Sequence, residues 1–335
     1  MILKIKRYLE ETNPLRLKPK EKIKTIKKLS RGESNVNYLL VTNSNKYLIR
    51  FDLTNKSSSK FKQEFNILRK IEKLNISSKP LFIDTSKKYF KENLMILSYI
   101  EGTSLDKLKK TQYFSQLNKM VLLFAKLHNV DLKLNNKFYS CKERIKQANS
   151  NIKKIKSQID KDNSLHKLFG IYERNFKTLS KNYKPKLRFC HGDVCSPNIL
   201  IHNKEFYLID WESAGNYDPA LELSYFFYEL GYNNSQKAKF IKKYIKLTGD
   251  KTLNKRILFT DFFMAYSGYF DVLIACFNIA KNKGHKEYLD SANFDEYWDW
   301  SNYYLGLVSK LNLFGNVFEK ELKADLNQLY NTLRN

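Results

Sequence analysis

The chain has 335 residues, 42% of them hydrophobic, with 60 Lys and Arg against 34 Asp and Glu and a formal net charge of +26. That length buries a large core and predicts two domains or lobes, and the apolar content excludes a disordered chain. No apolar run reads as long enough to cross a bilayer, and the charged start at residues 1–11 lacks the apolar stretch of a secretory signal.

Four cysteines (Cys141, Cys190, Cys195, Cys276) in a chain this long read as reduced thiols of a cytoplasmic protein. Cys190, His191 and Cys195 fit no usual zinc spacing. The positive charge is mostly Lys scattered along the chain beside abundant Asn, Ile, Tyr and Phe, residues with AT-rich codons, so coding bias is the plain account. The field would still attract anionic nucleotides. No Arg-rich tract, zinc-finger spacing or RNA-binding aromatic strand motif points to a dedicated nucleic-acid partner.

Residues 3–11 and 20–28 read as short basic amphipathic helices around Pro14 and Pro19. Residues 26–42 read as strand, turn and strand, residues 43–45 as a second turn and 46–51 as a third strand. Phe61, Phe65, Leu68, Ile71 and Leu74 recur at helical spacing and predict a helix over 58–74. Residues 81–84 and 94–100 are two further strands. Residues 104–132 read as helical, with Ser104 as a candidate N-cap and His128 as a buried structural histidine. The Lys-rich segment 133–185 reads as mostly helical.

Residues 187–211 carry the chemistry. Asp193 and Asn198 lie five apart, and Asp210 follows twelve residues later. Between them the apolar run Ile199–Ile201, the polar His202-Asn203-Lys204 and the apolar Phe206–Ile209 read as a β-hairpin. Such a hairpin returns Asp210 beside Asn198. Phosphoryl transfer needs such a set: one carboxylate for the attacking hydroxyl, and a carboxylate and an amide oxygen for Mg²⁺. Protein kinases space their catalytic loop in this way. Here His191-Gly192-Asp193 stands for His-Arg-Asp, and Asp210-Trp211-Glu212 for Asp-Phe-Gly. These motifs resemble the aminoglycoside phosphotransferase and choline kinase superfamily.

The resemblance implies a bilobal, protein-kinase-like α+β fold: an N-lobe over 1–98 with an antiparallel sheet, a hinge at 99–103 and a mainly helical C-lobe over 104–335. It implies ATP, with GTP not excluded, and Mg²⁺ as cofactors. Asp193 would be the catalytic base, with Asn198 and Asp210 as metal ligands. The turn Gly32–Tyr38 is similar to the Gly-rich turn of choline kinases, so Gly32, Ser34 and Asn35 are nucleotide candidates. Arg50 on the third strand would grip the phosphates, held by Glu64 of the following helix, with Glu72 as the fallback. Tyr99 and Ile100 would meet the base at the hinge.

Asp218-Pro219 and Glu222 resemble the superfamily's Asp-Pro segment and read as structural, with Asp218 capping a helix. Residues 220–230, 236–248, 254–282, 286–310 and 315–334 read as helices. The resemblance places the acceptor pocket among them, with Glu212, Asp261, Trp298 and Trp300 as candidates for a cationic acceptor. The acceptor class stays open between choline or ethanolamine and the broader aminoglycoside group. A nucleotide-regulated RNA- or membrane-binding protein with little kinase activity is the reading of another class.

Overall fold

The computed structural model describes residues 1–31, 35–53, 58–114, 116–132, 141–157, 159, 163–281, 292–311 and 316–334. The chain divides into two compact units, Met1–Lys133 with Phe189–Ala214, and Leu134–Arg188 with Gly215–Asn335. The α+β expectation holds, with an antiparallel sheet in the N-terminal part and helices towards the C-terminus.

In the first unit helix α1 (Ile2–Thr12) is followed by strands β1 (Ile23–Arg31), β2 (Asn35–Thr42) and β3 (Lys46–Asp52), helix α2 (Ser58–Ile71), and strands β4 (Pro80–Asp84) and β5 (Leu94–Ser98). The strands form one antiparallel sheet in the order β1-β2-β3-β5-β4. The second basic helix expected over 20–28 is instead the edge strand β1. Ile23, Thr25 and Ile26 are β-branched, and the lysines among them suit an edge that must not recruit another strand.

Side chains alternate across a strand. Val36, Tyr38 and Leu40 of β2 and Ile49 and Phe51 of β3 therefore face one way, packing with Ile5, Tyr8 and Leu9 of α1. Leu48 and Arg50 of β3 face the other way, with Asn37 of β2. α2 buries Phe61, Glu64, Phe65, Leu68 and Ile71, one helical stripe that includes a carboxylate. The helix expected over 104–132 is broken into strand β6 (Thr103–Ser104), a 3₁₀ turn, α3 (Lys110–Phe114) and α4 (Leu117–His128). Later in the same unit β7 (Arg188–Cys190) leads to a loop, and then β8 (Ile199–His202) and β9 (Glu205–Leu208) form the expected hairpin, with β6 on its far edge. The hairpin turn has positive φ at Asn203 and Lys204 (49° and 63°), as tight two-residue turns require.

The second unit holds α5 (Cys141–Lys156), α6 (Ser164–Lys181), the short strand β10 (Gly215–Tyr217), α7 (Pro219–Glu229), α8 (Asn234–Thr248), α9 (Leu253–Lys281), α10 (Ala292–Lys310) and α11 (Asn316–Arg334). α9 packs against α5, α7 and α10. By length and composition alone its Leu253–Ala280 stretch would cross a bilayer, contrary to the expectation of no such run. Of its most apolar 18-residue window 67% is buried, and a helix with so wide an apolar surface is what a central core position selects. Asp218 caps α7 by accepting from the Ala220 N–H at 3.0 Å. It also takes Nε–H of Arg256 on both oxygens, at 3.1 and 2.9 Å. The same guanidinium reaches Asp250 at 2.7 Å, and all three side chains are buried.

Candidate active site

The sequence-predicted phosphate cation and its carboxylate meet in the first unit. Arg50 Nη1 lies 2.7 Å from Glu64 Oε1, with 6% and 5% of their side chains exposed, and 3.5 Å from Asp210 Oδ1. The Trp211 N–H donates to Glu64 at 3.3 Å, so the helix carboxylate also holds the turn after Asp210. Burial opposes the Arg50 charge, but Glu64, Asp210 and Glu212 outweigh it and raise its pKa. Burial pushes the Glu64 carboxyl up, and Arg50 pulls it back.

These groups line one cavity of about 480 Å³, a size usual for small-ligand sites. Leu29, Leu48 and Leu97 give it apolar walls, Tyr99 and Ile100 lie at one part, and Arg50, Glu64 and Asp210 at another. The Tyr99 N–H is tied to the Lys46 carbonyl at 3.2 Å. Among the described residues, four buried polar atoms of this lining have no hydrogen-bond partner: Asn37 Oδ1, Arg50 Nε, Ser77 Oγ and Asp210 Oδ1. Unsatisfied buried groups are costly, and their concentration in one cavity fits a polar, charged ligand.

Asp193 and Asn198 meet in the loop before β8. Asn198 Nδ2 donates to Asp193 Oδ2 at 2.9 Å and to its carbonyl at 3.1 Å. That commits the amide nitrogen and leaves the amide oxygen as the atom for a cation. The Ile209 N–H donates to the Asn198 carbonyl at 3.0 Å, so the hairpin does return the chain beside Asn198. Sequence reasoning missed the brace. His191 is fully buried; its Nδ1 accepts the Asp193 N–H at 3.3 Å, which leaves Nε2 to donate to the Ile209 carbonyl at 3.0 Å. Its ring also packs edge-on against Trp211, 4.5 Å between centroids.

A profile of the phosphotransferase enzyme family (APH) matches residues 25–252, more than half of the chain. The chain belongs to the phosphotransferase enzyme family. The curated relatives include protein LicA of Haemophilus influenzae, 25% identical over 134 residues, 40% of this chain and 38% of that protein. In LicA of H. influenzae strain Rd the same stretch is 49% of the length, so the match spans less than half of each relative. Among solved structures, a choline/ethanolamine kinase family protein from Mesorhizobium loti superposes with a TM-score of 0.66 at 17% identity, over 97% of this chain and 99% of that one. Choline kinase LicA from Streptococcus pneumoniae gives 0.59 at 19%, over 90% and 99%. A mutant aminoglycoside phosphotransferase APH(4)-Ia in ternary complex with AMP-PNP and hygromycin B gives 0.61 at 15%, over 91% and 97%. These likenesses establish the kinase-like α+β fold of the superfamily.

Gly32 and Ser34 lie outside the described residues. Asn35 is buried at the start of β2, opposite Asp52, and does not line the cavity. Glu212 is exposed in the turn after Asp210. In the second unit, Asp261 pairs with Lys237 at 3.2 Å, and that ammonium sits 4.3 Å from the Tyr228 ring centre. Trp298 is a core residue, 6% exposed and packed on Phe294 and Tyr330. Trp300 is 42% exposed and clusters with Tyr303 and Tyr304. Burial, then Glu229, Tyr303 and Asp271, push the Tyr304 hydroxyl up, so carboxylates lie near these rings.

Proposed function

We propose that this chain moves the γ-phosphoryl group of ATP to a hydroxyl of a cationic small molecule. The observation that carries the reading is the Arg50–Glu64–Asp210 group in a cavity with four unsatisfied polar atoms. The base would lie against Leu29, Leu48 and Leu97 by the 99–103 hinge, and the phosphates at Arg50. Asn198 and Asp210 would hold Mg²⁺, and Asp210 Oδ1, which takes no hydrogen bond among the described residues and has only the Arg50 charge at 3.5 Å, fits that role. When bound, the ion offsets charge on the transferring phosphoryl group. Asp193 orients the acceptor and takes its proton as the new P–O bond forms and the bond to ADP breaks. Its own carboxylate is held by Asn198. Catalysis is chiefly positioning and charge neutralisation.

For the acceptor, the exposed Trp300 with Tyr303, Tyr304 and nearby carboxylates offers π faces and negative charge to an ammonium group. Choline or ethanolamine is the second, narrower reading, supported by the LicA relatives. The reading places the chain in the cytoplasm, where ATP is abundant and the Cys190, Cys195 and Cys276 thiols stay reduced.

The test is ADP release with ATP and Mg²⁺ across choline, ethanolamine, several aminoglycosides, a macrolide, homoserine and simple sugars. Acceptor-dependent turnover should fall about 10²–10⁴-fold in Asp193→Asn. Full turnover in that variant would sink the assignment of Asp193. No turnover with any acceptor, beside salt-sensitive RNA or vesicle binding, would favour the nucleotide-regulated binding protein.

A further inference from the structure

Asn37 stands out on the cavity wall. The alternation of β2 sends Val36, Tyr38 and Leu40 into the core under α1 and leaves Asn37 among the cavity-lining residues. Its direct partner across the β2–β3 ladder is Arg50. Side chains directly opposite in an antiparallel pair stand about 5 Å apart at Cβ, within reach of one another.

The two residues carry complementary unsatisfied atoms. Asn37 Oδ1 is an acceptor and Arg50 Nε a donor; both are buried without a hydrogen-bond partner among the described residues. Arg50 itself is 5% exposed. A phosphate cannot satisfy an amide oxygen, since both are acceptors. It can satisfy the amide nitrogen of the same group, once the amide turns its oxygen to the guanidinium. A side-chain amide makes that turn about its terminal torsion at little cost.

We infer that Asn37 is a nucleotide-binding residue: its amide nitrogen donates to a phosphate oxygen while its amide oxygen takes the Arg50 Nε–H. The inference rests on the nucleotide reading of this cavity. It gives the chain a second phosphate contact on the strand beside the cation. It also gives Arg50 a partner that fixes the plane of its guanidinium, where Glu64 fixes only one end.

The experiment is calorimetric titration of ADP with Mg²⁺, and separately of adenosine, into the full chain and its Asn37→Ala and Asn37→Asp variants. Asn37→Ala should weaken ADP about tenfold, the loss of one charge-assisted hydrogen bond, and leave adenosine within about twofold. Asn37→Asp should weaken ADP further, because a carboxylate repels the phosphates. Asn37→Thr, which suits a strand, should repeat the ADP-selective loss if the Ala variant does not fold. Unchanged ADP affinity in Asn37→Ala overturns the inference while leaving the nucleotide reading standing. Equal losses for ADP and adenosine assign Asn37 a structural role and also overturn it. A wild-type chain that binds neither ADP nor adenosine refutes the nucleotide reading itself, and the inference falls with it.

Discussion

Replacing Arg256 by Met tests what holds the second unit together. Arg256 is 3% exposed and donates to Asp218 at 2.9 and 3.1 Å and to Asp250 at 2.7 and 3.1 Å. Asp218 is fully buried and Asp250 is 4% exposed. Met fills much of the space but strands two buried carboxylates. Lys186, 3.4 Å from Asp250, and the Tyr183 hydroxyl, 3.0 Å from Asp218, compensate only in part. Breaking such a network by removing one partner costs about 3–5 kcal/mol. The urea midpoint followed by circular dichroism should fall by on the order of 1 M. The network also sets an acid limit. Burial pushes the Asp250 carboxyl up, but the Arg256 hydrogen bonds and charge outweigh it and hold it at about 2. Relative to an ordinary Asp near 3.9, that is at most about 2.5 kcal/mol, less what solvent screening removes. Because the folded value is depressed, this contribution is complete above about pH 5 and is lost as pH falls through about 2. Asp250→Asn should flatten that part of the stability profile. An Arg256→Met midpoint within about 0.2 M of wild type at neutral pH would refute the reasoning.

Two further outcomes follow from the geometry. His191→Phe keeps a ring against Trp211 but loses the bonds to Asp193 and Ile209, so kcat should fall roughly 10²-fold while ADP affinity changes little. A parallel loss of ADP affinity, measured by titration, would contradict it. Trp298→Ala should destabilise the protein by about 3–5 kcal/mol as a core truncation. Trp300→Ala should leave the melting temperature nearly unchanged and raise the acceptor KM by up to about 30-fold if its face meets the ammonium group. Equal thermal effects of the two tryptophan variants would show that this division is mistaken.

The β8–β9 hairpin was legible because its information is local. Asp193 and Asn198 share one loop, and a tight turn at Asn203-Lys204 brings Ile209 back to Asn198. Arg50 and Glu64 were legible from the order strand then helix. Arg256 was not, because its partner Asp218 lies 38 residues earlier and no periodicity links them. Trp298 and Trp300 look alike in the sequence, but two positions on a helix turn through about 200°, so one enters the core and the other faces outward. Only packing decides which. Asn37 is a subtler case. Nothing in the sequence singled it out: alternation sets it on the face opposite Val36 and Tyr38, but that this face lines a cavity depends on α2 and the hairpin lying beside the sheet.

Asp210 joins these local and non-local parts. Its backbone is left-handed, φ 67° and ψ 73°, a conformation that costs a non-glycine residue about 1–3 kcal/mol. Both neighbours are pinned. Ile209 donates its N–H to Asn198 and receives His191 on its carbonyl, and the Trp211 N–H is held by Glu64. The Trp211 indole is itself anchored on the Leu208 carbonyl at 3.1 Å. With both flanks fixed, the turn between them has to be tight, and the left-handed residue supplies it. Glycine would relieve the backbone but remove the carboxylate that stands 3.5 Å from Arg50. The strain is therefore sustained by the same contacts that place Asp193, Asn198 and Glu64. Loosening His191 should accordingly be felt first at Asp193, whose N–H it accepts, while Arg50 and Glu64 keep their pairing, which is why its replacement is expected to act on turnover more than on nucleotide affinity.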